Sequence, residues 1–292
     1  MKKRTISDLT LDAVVYGTLL LLAIATLLPF VNVLSKSVSE EWAVVSGKVG
    51  IFPVGFQLET MKFVITSNQF LRSFLVSISI TIVGTFLSLL ITAVTAYPLS
   101  KRHLPGISFI MLLFVFTMLF SGGIIPNYML IRGLGLMNSL WALILPSLLS
   151  VFNLLVIKSY FEGLPESLEE SARIDGARTI TILFRILLPL CGPVMATIAL
   201  FYAVSYWNDF FSAMIYINSS SLRPLQLYLR DIVLNASSVT VGIERSSDEL
   251  MNLSPDNVRS ATVIASTIPI LLVYPFLQKY FIKGVLLGSV KG

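Results

Sequence analysis

The chain has 292 residues, of which 55% are hydrophobic and only 13% are charged. A soluble domain carries about 25% charged residues, so this chain has too few polar side chains to coat a surface that faces water. The composition excludes a soluble enzyme, a disordered scaffold and a disulfide-rich secreted domain. The formal net charge of +5 is not concentrated in a basic cluster of the kind that binds nucleic acid. The chain must therefore use lipid as much of its solvent.

Apolar segments long enough to cross a bilayer occur six times. A helix needs about 20 apolar residues to span roughly 30 Å of hydrocarbon, and only a helix satisfies its own backbone hydrogen bonds there. The predicted spans are residues 13–34, 74–97, 107–125, 138–156, 189–217 and 261–278. The first is kept as a true span, because its apolar stretch is longer than the 7–15 residues typical of a signal peptide. We therefore expect an all-α integral membrane protein, with residues 1–292 forming a single transmembrane domain.

Lysine and arginine positions predict which side of the membrane each loop faces. Six spans put both termini on one side. In the short loops, Lys101 and Arg102 lie on that side, whereas Arg132 stands alone on the other. Because short cytoplasmic loops carry the excess of cations, we expect both termini in the cytoplasm. The net positive charge is then a signal of membrane topology.

Three connections between spans are too long to be simple turns: residues 35–71 and 218–258 outside, and residues 158–188 inside. Long connections in compact proteins usually bind something or are disordered. No metal site is expected anywhere in the chain. The lone His103 has no Cys, Asp or Glu nearby, and the single Cys191 lies in an apolar stretch as a small packed residue.

The inner connection, residues 158–188, has the pattern of a short helix followed by a sharp turn. Pro165 suits the first helical position, and Glu166 and Glu169 lie where a helix N-terminus favours acids. Apolar residues recur on one helical face at Leu164, Leu168 and Ala172. Gly176 can adopt the left-handed conformation that ends a helix, and residues 179–188 then form a second helical stretch. An amphipathic helix on the inner membrane surface would explain this pattern equally well.

The inner connection resembles a known signature. The matching residues are Glu170-Ser171-Ala172, then Gly176, then Ile186-Leu187-Leu188-Pro189. They are similar to the E-A-A, G and I-x-L-P elements of binding-protein-dependent ABC importer permeases, with Ser171 in place of the usual first alanine. Residues 173–177 fit the form common in sugar importers. Nearly the whole chain resembles the maltose-type carbohydrate permease family. Residues 120–123, 134–136 and 288–292 resemble its branch for oligosaccharides and polysaccharide fragments.

This resemblance implies a permease subunit of the bacterial cytoplasmic membrane that imports an oligosaccharide by alternating access. The implied partners are a second homologous permease subunit, two cytoplasmic ATPase subunits, an extracytoplasmic solute-binding protein and membrane lipid. The chain has no phosphate-binding G-x-x-x-x-G-K-[ST] sequence. ATP and Mg²⁺ are therefore expected on the ATPase subunits, and this chain is expected to carry no cofactor and not to be an enzyme.

In the family, the signature loop forms a coupling helix that docks into a groove on the ATPase. The resemblance assigns this role to Glu169, Glu170, Ser171, Ala172, Asp175, Gly176 and Ala177. We expect Glu170 to meet a basic group on the ATPase, and the small Ala172 and Gly176 to permit close docking. Asp175 is expected to cap the following turn or to pair with Arg178.

The end of the fifth span puts aromatic rings and polar groups at membrane depth. Sugars stack on aromatic rings and hydrogen-bond to amides and carboxylates, and an acid within a span is a functional candidate by default. The candidate substrate path is Tyr206, Trp207, Asn208, Asp209 and Phe210. In the alternative interpretation, the rings belong to the interfacial aromatic belt and Asp209 faces the outer water.

The outer connection at residues 218–258 resembles, by position, a loop that this type of subunit inserts into the sugar pocket of the binding protein. A plain docking or flexible loop is the alternative. Two other functions are considered: an ABC permease for peptides, amino acids or metals, and an ion-coupled secondary transporter. The latter would place several polar residues at the midplane of inverted repeats, whereas only Asp209 qualifies and no repeat is visible.

Overall fold

The computed structural model describes residues 6–101, 104–234 and 254–289, and the regular elements among them are helices. The helices, α1 to α15 in chain order, are Ile6–Ser37, Glu41–Val45, Glu59–Thr66, Asn68–Leu99, Ile107–Leu119, Ile124–Gly133, Trp141–Ile144, Val151–Glu162, Ser167–Ile174, Thr179–Thr181, Leu188–Leu190, Gly192–Asn208, Phe211–Tyr216, Leu225–Leu234 and Pro255–Ser289. Short 3₁₀ turns cover Leu145–Ser147 and Ser220–Leu222, and a π-helical turn covers Ile182–Leu187. The expectation of an all-α protein is confirmed for these residues.

Two of the described helices are long and apolar enough to cross a membrane unaided: Thr10–Ser37 within α1, and α4. Three more candidates are bent pairs: α5 with α6 at 111°, Trp141–Ser147 with α8 at 48°, and Thr179–Leu190 with α12 at 87°. By length and composition, the described residues therefore provide two spans, or up to five if each bent pair is one span. The predicted sixth span, residues 261–278, lies within α15.

The helix expected at residues 107–125 ends earlier than the sequence analysis has it. α5 stops at Leu119, Phe120 is extended, and Gly123 has a φ of 87°. That left-handed φ costs a glycine little, so the chain turns sharply here before α6 begins. The 13 residues of α5 rise about 20 Å, which is shorter than a hydrocarbon layer.

The segments expected at residues 138–156 and 189–217 are also interrupted. α8 begins after Ser150, whose side chain accepts a hydrogen bond from the N–H of Asn153. α12 ends at Asn208 because Asp209 has an extended backbone, and α13 follows. Each predicted apolar segment is helical, but these two consist of shorter helices joined at breaks.

The chain forms two compact units, and its treatment as a single transmembrane domain stays a prediction. The first unit is Met1–Leu71 with Leu229–Pro269. In it the connection after α1 folds back on itself, with an isolated antiparallel bridge between Ser39 and Phe56. The side-chain amide of Asn257, in α15, donates to the carbonyl of Ser39 at 3.2 Å. This outer connection is thus tied to the start of α15.

The second unit, Arg72–Tyr228 with Ile270–Gly292, contains the main apolar core. α4 and α12 approach closely in it, because Gly84 lies against the ring of Tyr206: a Cβ at Gly84 would be 2.7 Å from that ring. Further along this seam, Ser88 and Tyr206 share a hydrogen bond of 2.9 Å. Thr92 and Tyr202 share another of 2.7 Å.

Tyr202 and Tyr206 also stabilise the break before α8. The hydroxyl of Tyr206 donates to the carbonyl of Ile144 at 3.2 Å, and the hydroxyl of Tyr202 accepts from the N–H of Ser150 at 3.0 Å. Backbone groups released at a helix break are costly in lipid unless a side chain pairs with them. The two tyrosines therefore allow a broken helix in this part of the unit.

Candidate functional site

The inner connection forms a short amphipathic helix, α9. Glu169 and Glu170 both lie in its first turn, where the helix dipole favours acids. Pro165 stands two residues before the helix rather than at its first position, and its carbonyl accepts from the N–H of Leu168 at 3.2 Å. The position of the helix on the sequence is therefore close to the expected one.

Gly176 forms the turn at the end of α9, as the sequence predicts. Its φ is +81°, and its N–H donates to the carbonyl of Arg173 at 3.0 Å. The N–H of Ala177 donates to the carbonyl of Ala172 at 2.9 Å. These two bonds form the Schellman motif that glycine favours at a helix C-terminus.

Glu169 and Ala172 form the inner face of α9, and they are only 9% and 7% exposed. The hydroxyl of Tyr97 donates to Oε2 of Glu169 at 3.1 Å, while Nζ of Lys101 pairs with Oε1. Nη2 of Arg173, on the same helix, lies 3.9 Å from Oε2 of Glu169. Ala172 belongs to the apolar core of the second unit. Ala172 thus packs against its own chain.

The remaining residues of the signature form the outer face of α9 and its turn. The exposed ones are Glu170, Ser171, Asp175 and Gly176, and Ala177 is half-buried. The sequence analysis missed two apolar residues beside them: Ile174 is 86% exposed and Ile180 is 72% exposed. The available signal was spacing, since Ile174 lies one helical turn after Glu170. These two side chains leave apolar surface on a largely polar face that the described residues do not cover.

Asp175 occupies the position that ends α9. Among the ion pairs of the described residues, none joins it to Arg178, which directly precedes α10. Asp175 stands at the helix end by backbone position, and capping of the following turn by its carboxylate stays a prediction. Its exposed carboxylate adds to the charge of the outer face.

The candidate substrate-path residues lie at the end of α12 and face different ways. Tyr206 is buried, with its hydroxyl bonded to two partners in its own chain. The ring of Trp207 packs edge-on against Phe74 with centroids 6.2 Å apart, and its buried Nε1 has no hydrogen-bond partner among the described residues. Asn208 is exposed, and its amide donates to the carbonyl of Val204 at 2.9 Å. The structure therefore does not bring these side chains into one cluster.

Asp209 and Phe210 form the break between α12 and α13. Oδ1 of Asp209 accepts from the N–H of Ser212 at 3.0 Å. Phe210 is 40% exposed and packs edge-on against Phe211, with centroids 6.5 Å apart. Asp209 thus has a local structural role at the start of α13, in addition to any role toward a ligand.

A cavity of about 520 Å³ opens beside α13. Phe211, Ser212 and Tyr216 line it together with Asn127 from α6 and Ser147 before α8. None of the five candidate substrate-path residues lines it, although their next neighbours along the chain do. Most of the remaining lining residues are aliphatic, among them Leu130, Leu143 and Ile215, so the cavity is largely apolar with a few polar groups.

Several predicted features lie wholly or partly outside the described residues. They include residues 235–253 of the outer connection, Arg102 with His103, and the last three residues of the 288–292 segment. Within the described ranges, no group of three His, Cys, Asp or Glu could hold a metal ion. Among the described residues, the outer face of α9 and the cavity beside α13 are the two candidate functional sites considered below.

Comparison with known proteins gives a consistent picture. The family model of the binding-protein-dependent transport system inner membrane component matches residues 65–287. The polygalacturonan/rhamnogalacturonan transport system permease protein YtcP of Bacillus subtilis (strain 168) is 44% identical, over 96% of this chain and 98% of the relative. Protein LplC of the same organism is 48% identical, over 91% of this chain and 90% of the relative.

A solved structure also matches nearly the full length. It is the crystal structure of a bacterial ABC transporter involved in the import of the acidic polysaccharide alginate. The likeness covers 96% of this chain and 100% of the solved chain, with 31% sequence identity and a TM-score of 0.88. The expected resemblance and membrane location are thereby confirmed. The chain belongs to the family of binding-protein-dependent transport system inner membrane components, as a permease subunit that moves solute across the membrane and is not itself an enzyme.

Proposed function

We propose that this chain is half of a heterodimeric permease that imports acidic oligosaccharides, of the kind released from polygalacturonan or rhamnogalacturonan, by alternating access. The observation that carries the proposal is the folded signature: α9 presents Glu170 and Ile174 outward beside the left-handed turn at Gly176. The substrate class is supported by the relative that transports these polysaccharides and by the solved transporter of acidic alginate. ATP and Mg²⁺ bind two separate ATPase subunits.

In this proposal the outer face of α9 docks on an ATPase subunit. Ile174 and Ile180 supply apolar contact area, and the carboxylate of Glu170 meets a basic group. A Cβ at Gly176 would meet no atom of this chain within 4 Å. The open space above Gly176 therefore lets the partner's surface come close to the turn. Ser171, Asp175 and Ala177 complete the contact, while Glu169 and Ala172 support it from the inner face.

The substrate path runs past the break between α12 and α13. The exposed Asn208 and Phe210 and the carboxylate of Asp209 lie at the break, and the cavity lined by Phe211 and Ser212 lies next to it. Aromatic faces take the apolar sides of sugar rings, and hydroxyl and amide groups bond to their hydroxyls. Tyr206 and Trp207 shape this path from behind, through their packing on α4.

The topology proposed for the chain has six spans with both termini in the cytoplasm. α9 then faces the cytoplasm, as docking on an ATPase requires. The outer connections, residues 35–71 and 218–258, face the solute-binding protein that delivers the sugar. We further propose that residues 218–258 reach into its sugar pocket and help to release the sugar.

Transport by the purified, reconstituted complex tests this function. The complex of both permease subunits, ATPase and binding protein is placed in vesicles, and uptake of labelled oligogalacturonides is compared with uptake of neutral malto-oligosaccharides and of peptides. We expect uptake of oligogalacturonides only with ATP, and none when the ATPase carries a substitution that abolishes hydrolysis. The inactive ATPase serves as the matched control, because the assembly is otherwise unchanged.

The other outcomes point to other functions. Preferential uptake of peptides would contradict the carbohydrate substrate. Uptake of malto-oligosaccharides alone would contradict an acidic substrate. Uptake by the permease without any ATPase would contradict the ABC mechanism and favour an ion-coupled carrier.

A further inference from the structure

The inner face of α9 is joined to the end of α4 by a cluster of polar side chains. Both carboxylate oxygens of Glu169 are engaged: Oε1 by Nζ of Lys101, and Oε2 by the hydroxyl of Tyr97 at 3.1 Å. Arg173 lies 3.9 Å from Oε2. Tyr97 is in the last turn of α4, and Lys101 follows two residues after its end. We call Tyr97, Lys101 and Glu169 the α4–α9 tie.

The tie is largely buried and is packed on its apolar side, while Lys101 and Glu169 also border a polar groove of about 550 Å³. The side chains of Lys101 and Glu169 are 18% and 12% exposed. Nζ of Lys101 lies 5.1 Å from the ring centroid of Tyr97, and that ring packs edge-on against Phe161 at 6.2 Å. An ion pair with so little solvent contact is screened far less than one on the surface. The tie therefore holds two helices in one arrangement.

The two helices are distant in the sequence, since Glu169 lies 68 residues after Lys101. Without the tie, a force on α9 would reach the rest of the fold through its chain connections, one of which is the turn at Gly176, and through the apolar packing of Ala172. α4 is a continuous helix of 32 residues, about 48 Å long. It carries the seam with α12 at Gly84 and Ser88. A rigid attachment to α4 thus reaches the part of the fold that borders the proposed path.

We propose that Glu169 is a positioning residue that fastens the coupling helix to α4, so that a displacement of α9 moves α4 directly, in addition to any motion passed on by the loop and by the packing of Ala172. This inference rests on the proposed coupling function of α9. It separates the two adjacent acids of the signature: Glu170 binds the ATPase, and Glu169 passes the resulting motion to α4.

Charge variants of the tie test this role in the complete reconstituted transporter. The variants are Glu169→Gln, Lys101→Met and the exchange Lys101→Glu with Glu169→Lys. Lys158→Met is the matched control, because Lys158 forms an ion pair of similar burial with Glu162 within α8 alone. We measure recovery of the ATPase with the permease, and the ratio of sugar imported to ATP hydrolysed. The probe is the labelled oligogalacturonide mixture.

We expect the single variants to retain the ATPase but to import about tenfold less sugar per ATP, in the range of a typical coupling free energy between sites. The exchange should recover most of that loss, and Lys158→Met should match the wild type. A wild-type ratio in both single variants would overturn the proposal. Loss of assembly in the single variants and the exchange alike would also overturn it, since that result indicates a purely structural contact.

A distance measurement tests the tie without any sugar. Spin labels at Val94→Cys in α4 and Ser167→Cys in α9, in a chain with Cys191→Ala, report the separation of the two helices. We expect a narrow distance distribution that ATP leaves unchanged, and a broad or shifted one in Glu169→Gln. The same distance distribution in the wild type and in Glu169→Gln would overturn the proposal, whichever sugar the transporter imports. Failure of the wild-type permease to bind an ATPase would instead contradict the proposed function. The spin-label distances measured without nucleotide in the wild type and in Glu169→Gln would still show whether the tie holds the two helices together.

Discussion

Glu169 and Glu170 are neighbours in the sequence, yet their side chains have opposite environments. A helix rotates about 100° per residue, so one carboxylate turns toward Tyr97 and Lys101 while the other remains exposed. Ile174, one turn after Glu170, exposes 86% of its surface on the same side. For this reason the apolar contribution to docking is assigned to Ile174 rather than to the buried Ala172.

Replacement of Ile174 by aspartate tests the outer face of α9. Ile174→Asp removes apolar area and adds a charge that the contact would desolvate. We expect ATPase binding to weaken by about 2 kcal/mol, or roughly 30-fold in affinity, as for a central interface residue. Binding of purified ATPase to the permease in nanodiscs measures this change.

The control for the added charge is Ser167→Asp, at the N-terminal end of the same helix, where an acid is favourable. It should bind the ATPase as the wild type does. Wild-type affinity of Ile174→Asp would remove Ile174 from the docking surface. Loss of the folded permease in Ile174→Asp is not expected, since the side chain makes little contact with its own chain.

Among the elements, α4 and α12 are joined along a seam by side-chain hydrogen bonds and close packing. Tyr202 and Tyr206, one turn apart on α12, bond to Thr92 and Ser88 of α4 on one side. On the other side they pair with backbone groups at the break before α8. Gly84 permits the close approach of the two helices. One pair of side chains therefore holds together a long straight helix and a broken one.

The tyrosine hydroxyls should contribute measurably to stability. Tyr206→Phe leaves the buried carbonyl of Ile144 without this donor, and Tyr202→Phe leaves the N–H of Ser150 without this acceptor. We expect each change to cost about 1–3 kcal/mol, the penalty of an unsatisfied buried polar group. Unfolding of the solubilised permease in a graded denaturant series measures the loss.

Tyr160→Phe on α8 is the matched control, because it makes the same chemical change at a half-buried tyrosine whose hydroxyl has no hydrogen bond among the described contacts. It should stay within about 0.5 kcal/mol of the wild type. Equal stability of all three variants would show that the hydroxyls do not hold the break.

At the scale of the whole molecule, the orientation in the membrane decides whether α9 can meet an ATPase. The loop that carries Lys101 lies at one end of α4, beside α9 in the structure through Glu169. Arg132 lies at the end of α6, on the loop predicted to face outside. The excess of cations in the first loop favours the cytoplasm for it, and hence for α9.

Labelling with a membrane-impermeant maleimide tests this orientation. The labelling uses a chain with Cys191→Ala. Leu134→Cys should react in intact cells from which the cell wall or outer membrane has been removed. Leu104→Cys should react only after the cytoplasmic membrane is permeabilised. Both side chains are exposed, at 61% and 40%. The reverse pattern would put α9 outside and would contradict the proposed coupling.

The sequence by itself determined the properties that depend on local composition and local turns. Long apolar runs dictate membrane helices, and Gly176, with small and acidic neighbours at fixed spacing, marks the helix, its end and the family. Breaks in the apolar segments were harder to predict. Gly122-Gly123 and Asp209 interrupt helices inside runs that are mainly apolar, and average hydropathy is insensitive to one or two backbone angles.

Only the tertiary structure decided which groups meet across the chain. The sequence analysis placed Ala172 on the docking surface and Tyr206 in the substrate path, whereas folding buries both. Glu169 gains its partners from a helix about 70 residues earlier, and Tyr206 bonds to residues of α4 and to Ile144. Such pairings are set by the way helices pack, and helical periodicity fixes which residues share a face but not which neighbour that face will meet.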